Sequence, residues 1–152
     1  MTYEMDIAGL KRELPLCRVT DELYIGAFVM FGDVELTVHC AAELLMRAPE
    51  YDYLIAPEAK AIPLLYEMAR QSGAEKYFLA RKGAKAYMTG VFEVAVRSIT
   101  TMHIQKLVID TADAEMIKGK KVLIVDDVIS TGESLDPTEP PVQRAGGLLA
   151  GK

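Results

Sequence analysis

The chain has 152 residues, 51% of them apolar and 26% charged, with a formal net charge of −5. That is enough chain for one domain with a substantial core. The acidic balance argues against broad nucleic-acid binding, which needs a concentrated basic surface.

Residues 1–36 mix short apolar runs with turns, and "YIGAFVMFGDVEL" reads as two short strands around Gly32 and Asp33. "TVHCAAELLMR" predicts a helix with Thr37 as N-cap and Pro49 as its stop. "YDYLIA" (51–56) is a short apolar strand. "KAIPLLYEMARQSG" predicts a helix with Pro63 in its first turn and Gly73 at its C-terminal end. "KYFLAR" (76–81) is the next strand. "GVFEVAVRSIT" alternates apolar and polar residues as a half-exposed antiparallel strand does, with "QKLVID" as the other arm of a hairpin. "TADAEMIKGK" reads as a polar linker into the strand "KVLIVDD".

Cys17 and Cys40, like His39 and His103, lack the spacing of a disulfide framework or zinc site, so buried, reduced thiols are expected. The opening "MTYEMDIAGLKRELPL" carries no basic-then-apolar leader pattern. No apolar run reaches the roughly 20 residues that span a bilayer. A cytoplasmic protein with no membrane partner is the expectation.

Short apolar strands separated by a helix indicate a parallel sheet with helices packed on it, an α/β architecture. Ligands of such sheets bind beyond the carboxyl ends of the strands. Three of the expected strands end in suggestive loops: "APEAKA", "RKGAK" and "DDVISTGES". In the last, successive amides and the hydroxyls of Ser130, Thr131 and Ser134 could curl around a phosphate, with Gly132 free to take a positive φ. Asp126 and Asp127 would repel that phosphate on contact and suit the hydroxyls of an attached sugar better, so the stretch suggests a ribose 5-phosphate binder.

Arg81, Lys82 and Lys85 could meet a further phosphate; an ordinary solvated loop is the alternative. Glu58-Ala59-Lys60-Ala61, opening a helix, could likewise present amides and Lys60 to an anion; ordinary decoration of a helix start, where Glu is favoured, is the alternative. The chain contains neither a Walker A loop nor a GxGxxG fingerprint. Receiver domains also carry an "LIVDD" run, but near the N-terminus and with a later acceptor Asp that has no counterpart here.

The pattern "VLIVDDVISTGES" (122–134) resembles the phosphoribosyl pyrophosphate (PRPP) motif of type I phosphoribosyltransferases. Its flanks resemble the adenine phosphoribosyltransferase branch: "YDYLIAPEAKAIPLLYEMAR" its pyrophosphate loop, "FLARKGAKAY" its Arg-Lys segment, "VRSITT" its catalytic loop, and "DTADAEMIKGKKVLIVDD" the lead-in to the motif.

The resemblance implies a type I phosphoribosyltransferase fold in a single domain, with a small N-terminal hood (1–36), a PRPP-binding core (37–152) and a flexible hairpin. Asp126 and Asp127 would bind the ribose hydroxyls, and Ser130, Thr131, Gly132, Glu133 and Ser134 the 5′-phosphate. Ala59, Lys60, Arg81, Lys82 and Lys85 would face pyrophosphate. Arg97, Ser98 and Thr100 would act from the catalytic loop, and Phe28 and Val29 are candidates for contact with the base. Mg²⁺ held mainly by PRPP rather than by protein ligands, a purine base (adenine preferred) and a homodimer are also implied.

After Ser134 the chain reads "LDPTEPPVQRAGGLLAGK" where the family continues with a long helix and a further strand. Pro140 and Pro141 are expected to cut any helix starting at 133 to about one turn. "GGLLAGK" resembles the start of the next strand, and the C-terminal part of the sheet is expected to be truncated, leaving an apolar edge. A non-catalytic PRPP- or purine-nucleotide-binding regulator, or an inactive shortened relative, therefore stands beside the enzyme as an alternative.

Overall fold

The computed structural model describes residues 1–97, 104–128 and 138–152. The chain opens with an antiparallel sheet of β1 (Thr2–Ile7), β2 (Leu10–Arg18) and β3 (Tyr24–Gly26), in that order. Ala8 and Gly9 make the first turn at positive φ, 52° and 78°, and Ile7, Ala8 and Leu10 rest against the core. Arg12 of β2 fastens this sheet to the rest. Its Nε donates to Asp33 at 2.6 Å and its Nη2 to Glu35 at 2.9 Å.

Asp33 is also the N-cap of α1 (Val34–Arg47), accepting from the Leu36 amide at 3.0 Å. This corrects two expectations. The second strand around Gly32 and Asp33 is not formed, and the cap is Asp33 rather than Thr37. Thr37 lies inside the first turn, buried, with its hydroxyl donating to the Asp33 carbonyl at 2.8 Å. Four polar residues in "GDVELTVHC" mask the helical period at this end, whereas Pro49 follows the C-cap Ala48 as expected.

The central sheet is built from β4 (Tyr53–Pro57), β5 (Phe78–Ala80), β8 (Lys121–Ile124) and β9 (Leu148–Gly151), in the order β5-β4-β8-β9 with every pairing parallel. Side chains alternate across it, as strand geometry requires. Leu54, Ala56, Leu123 and Val125 face α1 and α2 (Ile62–Ser72) in one apolar cluster. Ile55, Phe78, Val122 and Ile124 face the opposite cluster, with Leu107 and Ile109 of β7 (Ile104–Asp110), Ala114 and Ile117 of α3 (Thr111–Ile117), and Val142 of α4 (Glu139–Arg144). Both faces are covered, which is why these strands read as unbroken apolar runs. Each fully buried Leu or Ile stabilises the fold by about 2 kcal/mol.

Pro63 lies in the first turn of α2, and Gly73 caps its end in the left-handed region (φ 72°), as expected. Glu67, 7% exposed, is held by Arg70 (2.7 and 2.9 Å) and by the Gln71 amide (2.8 Å), and the same amide donates to Val38 O of α1 at 3.0 Å. The Gln71 side chain thereby ties α2 to α1, and the buried Glu67 carboxylate holds that side chain in place.

β6 (Val91–Arg97) and β7 form the expected antiparallel hairpin, registered from Val91–Asp110 to Arg97–Ile104. The expected linker 111–120 instead contains α3, capped by the Asp110 carboxylate on the Ala112 amide. Ala114 and Ile117 alone bury on it, too few apolar positions to show a period. Pro140 and Pro141 do not interrupt α4. They lie in its first turn, where amides lack intrahelical partners anyway. A helix start at 133 lies outside the described residues. "LLAG" forms β9 as expected and is the edge strand, with Leu148 and Leu149 partly exposed. Cys40 is buried but Cys17 is exposed, against expectation; both thiols are free.

Candidate functional site

The parallel register brings three strand ends together. Ile55 pairs with both Phe78 and Ile124, so Pro57, Ala80 and Asp126, each two residues further on, lie at one edge of the sheet. The loops after β8, β4 and β5 follow one another in that spatial order. This is the convergence expected from sequence.

At the end of β8, the Val125 amide donates to Ile55 O at 2.8 Å. The chain then turns, and the Asp127 amide donates to Asp126 Oδ1 at 2.9 Å. Asp127 Oδ2 is buried and, among the described residues, has no hydrogen-bond partner. A buried acceptor left unpaired costs stability. Ser130, Thr131, Gly132, Glu133 and Ser134 lie outside the described residues.

After β4, a turn over residues 58–61 leads into α2, and the Glu58–Ala59 peptide is cis. Ala59 and Lys60 are exposed there. Glu58 is not part of the first turn of α2. Its Oε2 accepts from Arg81 Nε and from the Lys82 amide, each at 3.1 Å. The Lys82 amide foremost, and then the Arg81 guanidinium, hold its carboxyl below the usual range. Arg81 is bridged to Val108 of β7 by paired backbone bonds of 2.8 and 2.7 Å, and its Nη1 donates to the Tyr87 hydroxyl at 2.5 Å. Lys82 and Lys85 are exposed beside it.

The structure thus brings together Asp126, Asp127, Ala59, Lys60, Arg81, Lys82 and Lys85 at adjacent strand ends. Glu58 and Tyr87 join them, and neither was assignable from spacing because their partners are 23 and 6 residues away. Arg97 is the last residue of β6; Ser98 and Thr100 lie outside the described residues. Phe28 is partly buried against the core on the α1–α2 side, while Val29 is 55% exposed. A cavity of about 240 Å³ between the starts of α1 and α2 is lined by Met30, Asp33, Thr37, Pro63 and Tyr66 among others, and takes in neither Phe28 nor Val29.

Oxygen donors at the end of β8 suit a hard cation such as Mg²⁺, which commonly takes one or two carboxylates and completes its shell with substrate phosphates and water. Among the described residues no group of three or more His, Cys, Asp or Glu forms a metal cage. The Asp126 and Asp127 carboxylates fit a cation that draws its other ligands from an anionic substrate. Among the same residues, no helix is long and apolar enough to cross a membrane.

Residues 38–138 match the family described as phosphoribosyl transferase domain. An adenine phosphoribosyltransferase of Thermotoga sp. (strain RQ2) is 33% identical over 99 residues, 64% of this chain and 54% of that protein. An orotate phosphoribosyltransferase of Methanopyrus kandleri is 31% identical over 104 residues, 68% of this chain and 45% of that protein. The chain thus spans about half the length of these curated relatives. The crystal structure of an adenine phosphoribosyltransferase from Thermoanaerobacter pseudethanolicus superposes with a TM-score of 0.69 at 20% identity, over 90% of this chain and 78% of that one. The mixed α/β architecture is accordingly the type I phosphoribosyltransferase fold, and the chain belongs to the phosphoribosyltransferase family.

Proposed function

We propose that this chain transfers the ribose 5-phosphate of PRPP to a purine base, adenine by preference, giving a nucleoside 5′-monophosphate and pyrophosphate. The observation that carries this reading is the order of the three strand-end loops. Neighbouring strands lie about 4.8 Å apart, so a sugar-binding pair after β8, an amide turn after β4 and a cationic loop after β5 succeed one another over about 10 Å. PRPP presents a ribose and then a pyrophosphate over a comparable span.

In this reading Asp126 and Asp127 accept hydrogen bonds from the ribose hydroxyls, and the buried Asp127 Oδ2 gains the donor it lacks. Residues 130–134 bind the 5′-phosphate. The amide of Ala59 with Lys60, Arg81, Lys82 and Lys85 face the leaving pyrophosphate, whose negative charge grows as the bond to C1 breaks. Mg²⁺ bound through PRPP would add positive charge to that neutralisation, and Asp126 and Asp127 are the residues that would help hold it. Arg97, at the end of β6, is assigned with Ser98 and Thr100 to excluding water from the activated sugar.

The base is assigned to the hood side, with Phe28 and Val29 as candidates. A homodimer belongs to the same reading, since exposed Phe31, Val34 and Tyr66 offer it apolar surface to bury. A cytoplasmic location accords with two free thiols.

Incubation of the chain with PRPP, Mg²⁺ and adenine, followed by chromatography, is expected to yield AMP and pyrophosphate. The orotate phosphoribosyltransferase among the relatives makes orotate the control base. Turnover of orotate alone would overturn the base assignment. PRPP binding with no base consumed would replace the enzyme by a regulator.

A further inference from the structure

Glu58 is an acid where an anion is expected, and by charge alone it should weaken the site. Its geometry points the other way. One carboxylate oxygen accepts from both Arg81 Nε and the Lys82 amide, and the Glu58 amide donates to Ala80 O at 2.9 Å. These three bonds clip the end of β4 to the end of β5. On its far side the Arg81 guanidinium is held by the Tyr87 hydroxyl. A guanidinium carries five N–H donors in a rigid plane. Here Nε and Nη1 are engaged, and Nη2 has no partner among the described residues.

We propose that Glu58 is a positioning residue: together with Tyr87 it fixes the Arg81 guanidinium so that its remaining N–H donors meet the pyrophosphate group already oriented. The inference rests on the reading of this strand end as a PRPP site. An unrestrained arginine must surrender rotamer freedom when it binds, and ordering it beforehand moves that cost into folding. The Glu58 carboxyl, held below its usual range by the Lys82 amide first and by Arg81, stays charged under mildly acidic conditions, so the clip persists there. A purely structural ion pair would tie β4 to β5 equally well but would have no selective effect on one ligand.

The test is calorimetric titration of the full chain, Glu58→Gln and Tyr87→Phe with pyrophosphate and, separately, with ribose 5-phosphate, each with Mg²⁺. Both variants are expected to lose about tenfold in pyrophosphate affinity and to bind ribose 5-phosphate as the unaltered chain does. Pyrophosphate affinity unchanged in the variants, or an equal loss for both ligands, would overturn the positioning role. If Glu58→Gln fails to fold, Tyr87→Phe decides alone, since Tyr87 is 67% exposed and its hydroxyl is not part of the core. If the unaltered, folded chain binds neither ligand, the PRPP reading itself fails and takes this inference with it.

Discussion

At the scale of single residues, the site holds groups that stability would not select. Asp127 places a buried oxygen at the end of β8 with no partner among the described residues. Removing an unsatisfied buried acceptor should relieve its desolvation cost, so Asp127→Ala is expected to raise the unfolding free energy by about 1 kcal/mol while abolishing PRPP binding. Urea unfolding and a binding titration on the same preparation check this; a destabilised variant would mean that the oxygen is satisfied in the folded protein. Asp126 and Asp127 were legible in the sequence because a carboxylate pair directly after an apolar run is a local signal. The bonds from Glu58 to Arg81 and from Arg81 to Tyr87 were not. They depend on which strands become neighbours, and no spacing in one chain encodes that. Glu58 looks like an ordinary first-turn acid until β5 is laid beside β4.

At the scale of elements, one buried carboxylate, Glu67, holds the Gln71 side chain that bonds α2 to α1. Hydrogen bonds from Arg70 foremost, and then from Gln71, lower the Glu67 pKa from 4.5 to about 2. Its folded value lies below its unfolded one, so the stabilisation is fully present above pH 4.5 and is lost as pH falls toward about 2. Glu67→Gln should therefore be less stable than the unaltered chain at neutral pH, with the gap closing through that window. Thermal unfolding as a function of pH measures it, and a constant gap would refute the assignment. Helices bracketed by strong stop signals, such as α2 between Pro63 and Gly73, were legible. The start of α1 was not, because the polar and β-branched residues of "GDVELTV" hide the helical period behind the Asp33 cap. α3 was missed because only Ala114 and Ile117 mark its buried face. The prolines of α4 occupy first-turn positions, where the missing amide costs nothing, so a residue that breaks helices elsewhere starts this one.

At the scale of the whole molecule, the parallel sheet was readable as unbroken apolar strands, and its order settles the chemistry available at its edge. β8 lies next to β4 and β4 next to β5, so the carboxylate pair is followed by the amide turn and then by the cations. The hairpin joins this arrangement through the backbone bridge between Arg81 and Val108, which links the cationic loop to the element proposed to close over it. The measurement that tests the account most directly is calorimetric titration of PRPP with Mg²⁺ into the unaltered chain and into the double variant Asp126→Asn, Asp127→Asn. The account predicts one-site binding by the first, and a loss of at least a hundredfold, about 2.7 kcal/mol, in a variant that remains folded. Affinity surviving the double change would contradict the assignment of these carboxylates to the ribose, and with it the orientation proposed for the substrate along the sheet.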